Sequence, residues 1–293
     1  MDEVRGFDEE ERKVADSGTG QVPAPIPGTG LAQVDFGDAA GAGMEGITLE
    51  EQLTPFLRIL QKGSPQVDPS AAEYMPDARP GMLLNTATGD LYPGQPGVEA
   101  IVCARDYHYG AWVPRDSGGG FRGMLRPEDP IIGRLKAQHG RFKKLPYVMD
   151  GEAVELVETI QLYLIYAQEE LNAFNGQRAI AAFASTALPV AQQYITKHNS
   201  WRYQDSQGKT VVAPIYQYKW RCSLVPQQNA SGSWFNWKID LLPIGAKPVD
   251  ALVKRTDPLY AEAEAFYQLY KTGAVKADYS ESQSSSTDSD VPF

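Results

Sequence analysis

The sequence contains few of the residues that build metal or redox sites. It has two cysteines and three histidines, and no histidine stands near a cysteine at a metal-ligand spacing. We therefore predict that the protein binds no metal and no cofactor. Cys103 and Cys222 lie in strand-like segments. Two buried free thiols are expected there, with one disulfide as the alternative.

The sequence also lacks long apolar runs and the short motifs of common enzymes. No run approaches the roughly 20 apolar residues that span a bilayer. Residues Met1–Arg5 are acidic where a secretory signal would be basic and then apolar. Glu155 and Glu158 would point to opposite faces of a strand, so they do not predict a shared cation. These absences predict a cytoplasmic, non-enzymatic protein that does not bind a membrane.

Acidic residues are concentrated at the two ends of the chain. Residues 1–51 contain 12 acidic and 3 basic residues, and residues 274–293 contain 4 acidic residues and 1 basic residue. Residues 52–273 contain 21 acidic and 23 basic residues, so their net charge is +2, against −10 for the whole chain. The overall acidity, which would oppose binding to nucleic acid, therefore does not extend to the body.

Composition divides the chain into three parts. Residues 1–46 are rich in acidic residues, Gly, Pro and Ala and have few large apolar side chains, which predicts an acidic disordered segment. Residues 47–272 have the apolar content of a folded domain. Residues 273–293 are rich in serine and predict a flexible acidic tail.

The body contains strand and helix patterns in an informative order. Predicted strands are 98–112, 154–166, 178–185, 211–224 and 233–242, and predicted helices are 131–138, 188–203 and 257–271. Before them, 49–61 is predicted as a helix broken at Pro55, and 82–92 as a hairpin. Three strands, a helix and two strands resemble the OB-fold, a five-stranded barrel that binds oligonucleotides. The expected fold class is mainly β, an OB-fold-like barrel with a few peripheral helices.

The last six residues carry the most specific motif. Asp288–Phe293 reads Asp-Ser-Asp-Val-Pro-Phe. It resembles the acidic tip of bacterial and phage single-stranded DNA-binding proteins, which commonly end in Asp-Asp-Asp-Ile-Pro-Phe. Ser and Val replace Asp and Ile here, which keeps an acidic segment followed by a β-branched residue and Pro-Phe.

The resemblance implies a docking tag for replication, recombination or repair proteins. Its aromatic ring would fill an apolar pocket while the acidic side chains meet a basic rim. The residues of the predicted tag are Asp288, Asp290, Val291, Pro292 and Phe293. A solubilising acidic tail is the alternative interpretation.

Basic and aromatic residues alternate in two stretches of the body. Residues 105–144 contain nine basic and four acidic residues, and residues 178–238 contain seven basic residues, one acidic residue and four of the five tryptophans. Proteins that bind single-stranded DNA need this combination, because cations follow the phosphates and rings stack on unpaired bases. Burial in a core is the alternative for each ring.

Strand alternation separates core rings from candidate stacking rings. It places Trp220 and Trp237 in the core and Trp234 outside, beside Lys238. Trp201 belongs to an apolar helical stripe. The predicted DNA contacts are Arg105, Tyr107, Tyr109, Arg115, Phe121, Arg122, Arg141, Lys143, Lys144, Arg178, Lys219, Arg221, Trp234 and Lys238. Tyr107 and Tyr109 fit a stacking face and an inner barrel wall equally well.

The sequence thus predicts a phage or bacterial single-stranded DNA-binding protein that coats exposed strands and recruits partners through its tail. A strand-annealing protein of phage recombination is the related alternative. An interaction adaptor that binds no nucleic acid is the alternative from a different class. Self-association is compatible with each hypothesis.

Overall fold

The structure is a computed structural model. The residues that the structure describes are 42–48, 51–114, 117–140, 144–167, 177–230 and 232–279. Most of the predicted N-terminal segment and all of the predicted tag lie outside these ranges. Within them the chain is mainly β with a few helices, as predicted.

Fourteen strands and three α-helices make up the described part of the chain. The strands are β1 (Leu53–Thr54), β2 (Leu57–Ile59), β3 (Met82–Asn85), β4 (Leu91–Pro93), β5 (Val98–Trp112), β6 (Phe121–Leu125), β7 (Lys144–Met149), β8 (Glu152–Tyr166), β9 (Arg178–Ala184), β10 (Tyr203–Gln204), β11 (Thr210–Val211), β12 (Lys219–Asn229), β13 (Gly232–Leu241) and β14 (Lys276–Ala277). The helices are α1 (Pro130–His139), α2 (Leu188–Ser200) and α3 (Pro258–Thr272).

The centre of the molecule is the antiparallel pair β5–β8. Each strand has 15 residues. They pair from Ala100 with Tyr166 to Trp112 with Glu155, with one irregularity between Val102 and Ala104. Such long strands outgrow their neighbours, so each outer edge of the pair is shared by two shorter strands.

The main sheet follows the order β13-β12-β5-β8-β7, with β6 also on β5 and β9 also on β8. The five strands predicted from the sequence therefore run β9-β8-β5-β12-β13. Within the described residues β9 and β13 do not pair, so the sheet does not close into a barrel. Two aromatic side chains are in contact across that opening. The ring centroids of Phe183 on β9 and Trp237 on β13 lie 5.5 Å apart.

One face of the sheet packs against α2, which contacts β8, β9 and β13. Its core includes Trp220, which is fully buried, and Tyr194 of α2 meets that indole edge-on at 4.8 Å. Trp201 stacks on Trp220 with centroids 5.8 Å apart. The predicted core positions of Trp220, Trp237 and Trp201 are therefore confirmed.

The opposite face packs against α3. This helix begins as predicted, because the Asp257 side chain accepts a hydrogen bond from Leu259 N and Pro258 occupies the first turn. Thr159, Gln161 and Tyr163 of β8 lie on this face and are all buried. The second half of β8 is thus covered on both sides.

The structure corrects three predicted boundaries. The helix predicted over 49–61 is absent from residues 51–61: β1 and β2 occupy this segment, and Ile180 N donates to Pro55 O, so pairing with β9 overrides the helical pattern. β12 begins at Lys219 rather than Val211 and extends the hairpin with β13 to Asn229. The loop expected between β5 and β8 contains β6 and β7 as well as the predicted α1.

The outer edge of β13 is protected by a side chain. Gln61 Nε2 donates to Phe235 O at 2.8 Å, and Phe235 N donates to Gln61 Oε1 at 2.9 Å. The buried amide of Gln61 thus replaces the peptide group of a neighbouring strand. It satisfies one donor and one acceptor of a strand edge that would otherwise be open to pairing.

We expect Gln61→Leu to lower the free energy of unfolding by about 1–3 kcal/mol, because it leaves a buried backbone donor and acceptor unsatisfied. Urea denaturation followed by circular dichroism measures the change. Gln204→Leu, at an exposed position of β10, is the matched control and should be near neutral. Equal stability of the two variants would show that the Gln61 amide does not support this edge.

Candidate nucleic-acid interface

A gap in strand pairing creates a cleft on one side of the sheet. β12 pairs with β5 from Val98 to Ile101, and β6 pairs with it from Tyr109 to Trp112. Between them, residues 102–108 have no strand on that edge within the described residues. A cleft of about 770 Å³ opens beside this edge.

Three other segments form the walls of the cleft. They are the residues after β6, the 3₁₀ turn Ile215–Gln217 and the second half of α3. The side chains and backbone that line it belong to Ala104, Arg105, Asp106, Tyr107, Arg126, Pro127, Glu128, Pro214, Ile215, Tyr216, Tyr267 and Tyr270. The cleft thus combines two arginines with four tyrosines.

The two arginines differ in how they are held. Arg105 is exposed, and within the described residues its guanidinium has no ion-pair partner. Arg126 follows β6, and its side chain is 57% exposed while Nη1 donates to Asp106 Oδ1. Arg105 was predicted from the sequence as a DNA contact, whereas Arg126 was not.

The tyrosines reach the cleft from three elements. Tyr107 lies on β5, and its hydroxyl donates to Glu158 Oε1. Tyr267 and Tyr270 are one helical turn apart on α3, so both point towards β5. Tyr216 lies 5.6 Å from Tyr267, between ring centroids. These rings come from segments that are far apart in sequence, which is why only Tyr107 was predicted.

Burial raises the pKa of Tyr107, Tyr216 and Tyr270. Burial first, and then hydrogen bonding to Glu158, raises the pKa of Tyr107 well above its ordinary value. Burial and the nearby Asp106 carboxylate raise the pKa of Tyr270 to about 12. Burial and Glu264 act in the same direction on the pKa of Tyr216. The cleft thus places tyrosine rings beside two arginines and two acidic residues, Asp106 and Glu128.

Tyr109 does not belong to the cleft surface. Its side chain is 1% exposed and packs with Ile132 and Leu145 in the core beneath α1. Lys136 Nζ lies 4.9 Å from its ring centroid. Of the two interpretations left open for this residue, the inner wall is the one that the structure shows.

Most of the other predicted cations are engaged with acidic side chains. The pairs are Arg122–Glu152, Lys144–Glu155 at 2.6 Å, Lys219–Asp257 at 3.8 Å, Arg221–Glu99 at 2.6 Å and Lys238–Asp240 at 2.7 Å. All five acidic partners lie outside residues 105–144 and 178–238, the two stretches in which basic residues outnumber acidic ones. The local positive charge is consequently smaller than that count suggested.

Phe121 and Arg178 lie outside the cleft. Phe121 stacks face to face on Tyr279, with centroids 4.1 Å apart and an interplanar angle of 9°. Arg178 covers the Phe266 ring at 5.0 Å, and burial lowers its pKa. Arg178 also lines a second cleft of about 490 Å³.

The solvent exposure predicted for Trp234 is wrong. Its side chain is 8% exposed, whereas strand alternation placed it outside the sheet. Asn236, on the same face of β13, is also buried and donates from Nδ2 to Thr186 O at 3.0 Å. The turn Ser185–Ala187 therefore covers this face, and alternation within one strand cannot reveal a cover that comes from elsewhere.

Several predicted contacts fall on residues that the structure does not describe. They are Arg115, Arg141, Lys143 and the tag residues Asp288, Asp290, Val291, Pro292 and Phe293. Their roles stay predictions from the sequence.

The described residues show no built metal or redox centre. Among them there is no group of three or more His, Cys, Asp or Glu side chains placed to hold a metal ion. Cys103 and Cys222 are buried free thiols, and burial raises the pKa of both. Thiols held in the neutral form in this way are poor nucleophiles.

The fold defines a mainly β protein built on one long strand pair, with a cleft of arginines and tyrosines at its unpaired edge. The chain belongs to the Pam3 phage gp34-like protein family, whose family model matches residues 27–276. No curated protein and no solved structure matches the chain significantly. None of the helices in the described ranges has the length and apolar character of a membrane span.

We expect Trp234→Ala to lower the free energy of unfolding by about 3–5 kcal/mol, because it empties a buried aromatic position. Trp234→Phe should cost much less, since Nε1 of Trp234 is buried without a hydrogen-bond partner among the described residues. Chemical denaturation of both variants measures the difference. A stable Trp234→Ala protein with weakened DNA binding would support the exposed stacking position instead.

Proposed function

We propose that the protein binds single-stranded DNA, with the cleft beside residues 102–108 of β5 as its central contact surface. The observation that carries this proposal is the meeting of Arg105 and Arg126 with the partly exposed rings of Tyr107, Tyr267 and Tyr270 in one cleft. The ring of Tyr216 is buried and packs beside Tyr267. Cations that contact phosphates and rings that stack on bases are the two components of single-strand recognition.

The chemistry of the cleft favours unpaired bases. The face of a base is available for stacking on tyrosine only where the base is not stacked within a duplex. Each such contact contributes about 1–3 kcal/mol and tolerates every base, because every base has a π-face. Binding is therefore expected to depend on single-strandedness rather than on sequence.

The strand order supports an OB-type interpretation of the body. In the order β9-β8-β5-β12-β13 the first strand of the set lies in the middle, with the second and third on one side and the fourth and fifth on the other. The helix α2 lies between the third and fourth strands in sequence and covers the sheet. These are the neighbours expected of an OB barrel that is open between its third and fifth strands.

Membership of a phage family is compatible with the further proposal that the protein acts in a bacterial cytoplasm during phage DNA metabolism. In this proposal the body coats exposed single strands, and the tag Asp288–Phe293 recruits proteins of replication, recombination or repair. The recruitment part of the proposal rests on the sequence of the tag.

The protein should bind labelled single-stranded oligonucleotides more tightly than duplex, with affinity that falls as salt rises. The expected slope is about 0.7 log units of affinity per log unit of salt for each phosphate contacted. Fluorescence anisotropy at several salt concentrations, with single-stranded DNA, duplex DNA and single-stranded RNA, measures this.

A substitution in the cleft tests whether DNA binds at this site. Arg105→Gln should weaken binding and reduce the salt slope by about 0.7, the value of one phosphate contact. Lys209→Gln removes the same charge from an exposed position that does not line the cleft, and it should leave the slope nearly unchanged. Equal effects of the two substitutions would mean that net charge, not the cleft, governs binding. Absence of binding by the unmodified protein would leave the adaptor hypothesis.

Phe293→Ala should abolish capture of partner proteins from infected-cell lysate while DNA affinity stays within about twofold. The substitution removes the ring that fills the partner's pocket and keeps every acidic side chain of the tag. Ser289→Ala is the matched control within the tag and should retain capture. Undiminished capture by Phe293→Ala would show that the tail acts only as a solvated acidic end.

A further inference from the structure

A buried carboxylate lies in the wall of the cleft that is proposed to bind an anionic strand. Asp106 on β5 is 7% exposed. Its Oδ1 accepts hydrogen bonds from Arg126 Nη1 and, at 3.3 Å, from the Tyr270 hydroxyl. Its Oδ2 lies 3.0 Å from Nδ1 of the buried His108.

The carboxylate stays ionised in this position. Burial alone pushes the pKa of Asp106 upward, but hydrogen bonds and charges from His108 and Arg126 outweigh burial and lower that pKa to about 2. A fixed negative charge opposes the approach of phosphates, so simple electrostatics makes Asp106 unfavourable for DNA binding. Its presence in the cleft therefore requires a second effect, one that favours DNA binding and offsets this repulsion.

The partners of Asp106 indicate what that effect is. Arg126 follows the end of β6, where no helix or strand holds its backbone, and more than half of its side chain is exposed. Tyr270 comes from α3, and its single hydroxyl proton is shared between Arg105 O, at 2.8 Å, and Asp106 Oδ1, at 3.3 Å. One carboxylate thus joins the end of β6, helix α3 and the unpaired edge of β5.

We propose that Asp106 is a positioning residue of the cleft, which holds the Arg126 guanidinium and the Tyr270 ring in place for a phosphate and a base of single-stranded DNA. This inference rests on the proposed function. Asp106 itself does not contact the strand, because its oxygens are buried and occupied by Arg126, Tyr270 and His108. Its effect is to order two side chains before DNA arrives, which reduces the entropy lost on binding.

The decisive variant is Asp106→Asn, which keeps the shape of the side chain and removes its charge. Pre-ordering of two side chains predicts that affinity for single-stranded DNA falls about 3- to 10-fold. The change in charge alone predicts a higher affinity, since the variant is less negative by one unit. Glu152→Gln is the matched control, because it also removes one negative charge and one arginine partner, Arg122, outside the cleft. It should leave affinity unchanged or slightly raised.

A second comparison separates positioning from loss of fold. In an Arg126→Gln/Tyr270→Phe background Asp106 has no cleft side chain left to position, so adding Asp106→Asn should cause no further weakening. Circular dichroism confirms the folded fraction of each variant at the binding temperature. Affinity of Asp106→Asn equal to or above that of the unmodified protein would overturn the proposal. So would an equal loss in both backgrounds. Failure of the unmodified protein to bind DNA would instead refute the proposed function.

Discussion

The rest of the structure depends on the pairing of β5 with β8 along almost their whole length. Two strands of 15 residues are longer than any of their neighbours, so no single strand covers either outer edge. β12 and β6 each cover part of the edge of β5 that faces away from β8. They leave residues 102–108 without a strand partner on that edge. A strand edge inside a sheet is normally closed by hydrogen bonds. Here helix α3, the 215–217 turn and the segment after β6 surround it, and a cleft results.

The sequence identified the elements whose patterns are local. Val98–Trp112, Pro258–Thr272 and the hairpin of β3 and β4 were predicted within a few residues, because strand alternation, an Asp-Pro helix start and a Thr-Gly-Asp turn are written in consecutive residues. β6 and β7 were missed. They are short, interrupted by glycine or proline, and form only because β5 and β8 extend beyond their other partners.

The candidate site was harder to predict from the sequence than the fold was. Arg105 and Tyr107 were found because they lie on one predicted strand. Arg126, Tyr267 and Tyr270 belong to the same cleft but reach it from other elements, and nothing in their own neighbourhood distinguishes them from ordinary surface residues. Trp234 shows the converse error, since a ring assigned to the outside by alternation is covered by a turn some fifty residues earlier in the chain.

The ion pairs limit which groups of the protein could distinguish single-stranded from duplex DNA. Lys144, Lys219, Arg221 and Lys238 already have acidic partners, and their side chains are partly exposed. Exposed pairs of this kind contribute little, about 0–1 kcal/mol, so a phosphate can replace the carboxylate at small cost. In the proposed function, these cations would supply only a weak, general attraction that any nucleic acid would share. Discrimination in favour of single strands has to come from groups that a duplex cannot satisfy, and in the described part of the chain the tyrosines of the cleft are the concentrated source of such groups. A protein of this design does not need a strongly basic surface, which is why an acidic chain is compatible with the function proposed for it.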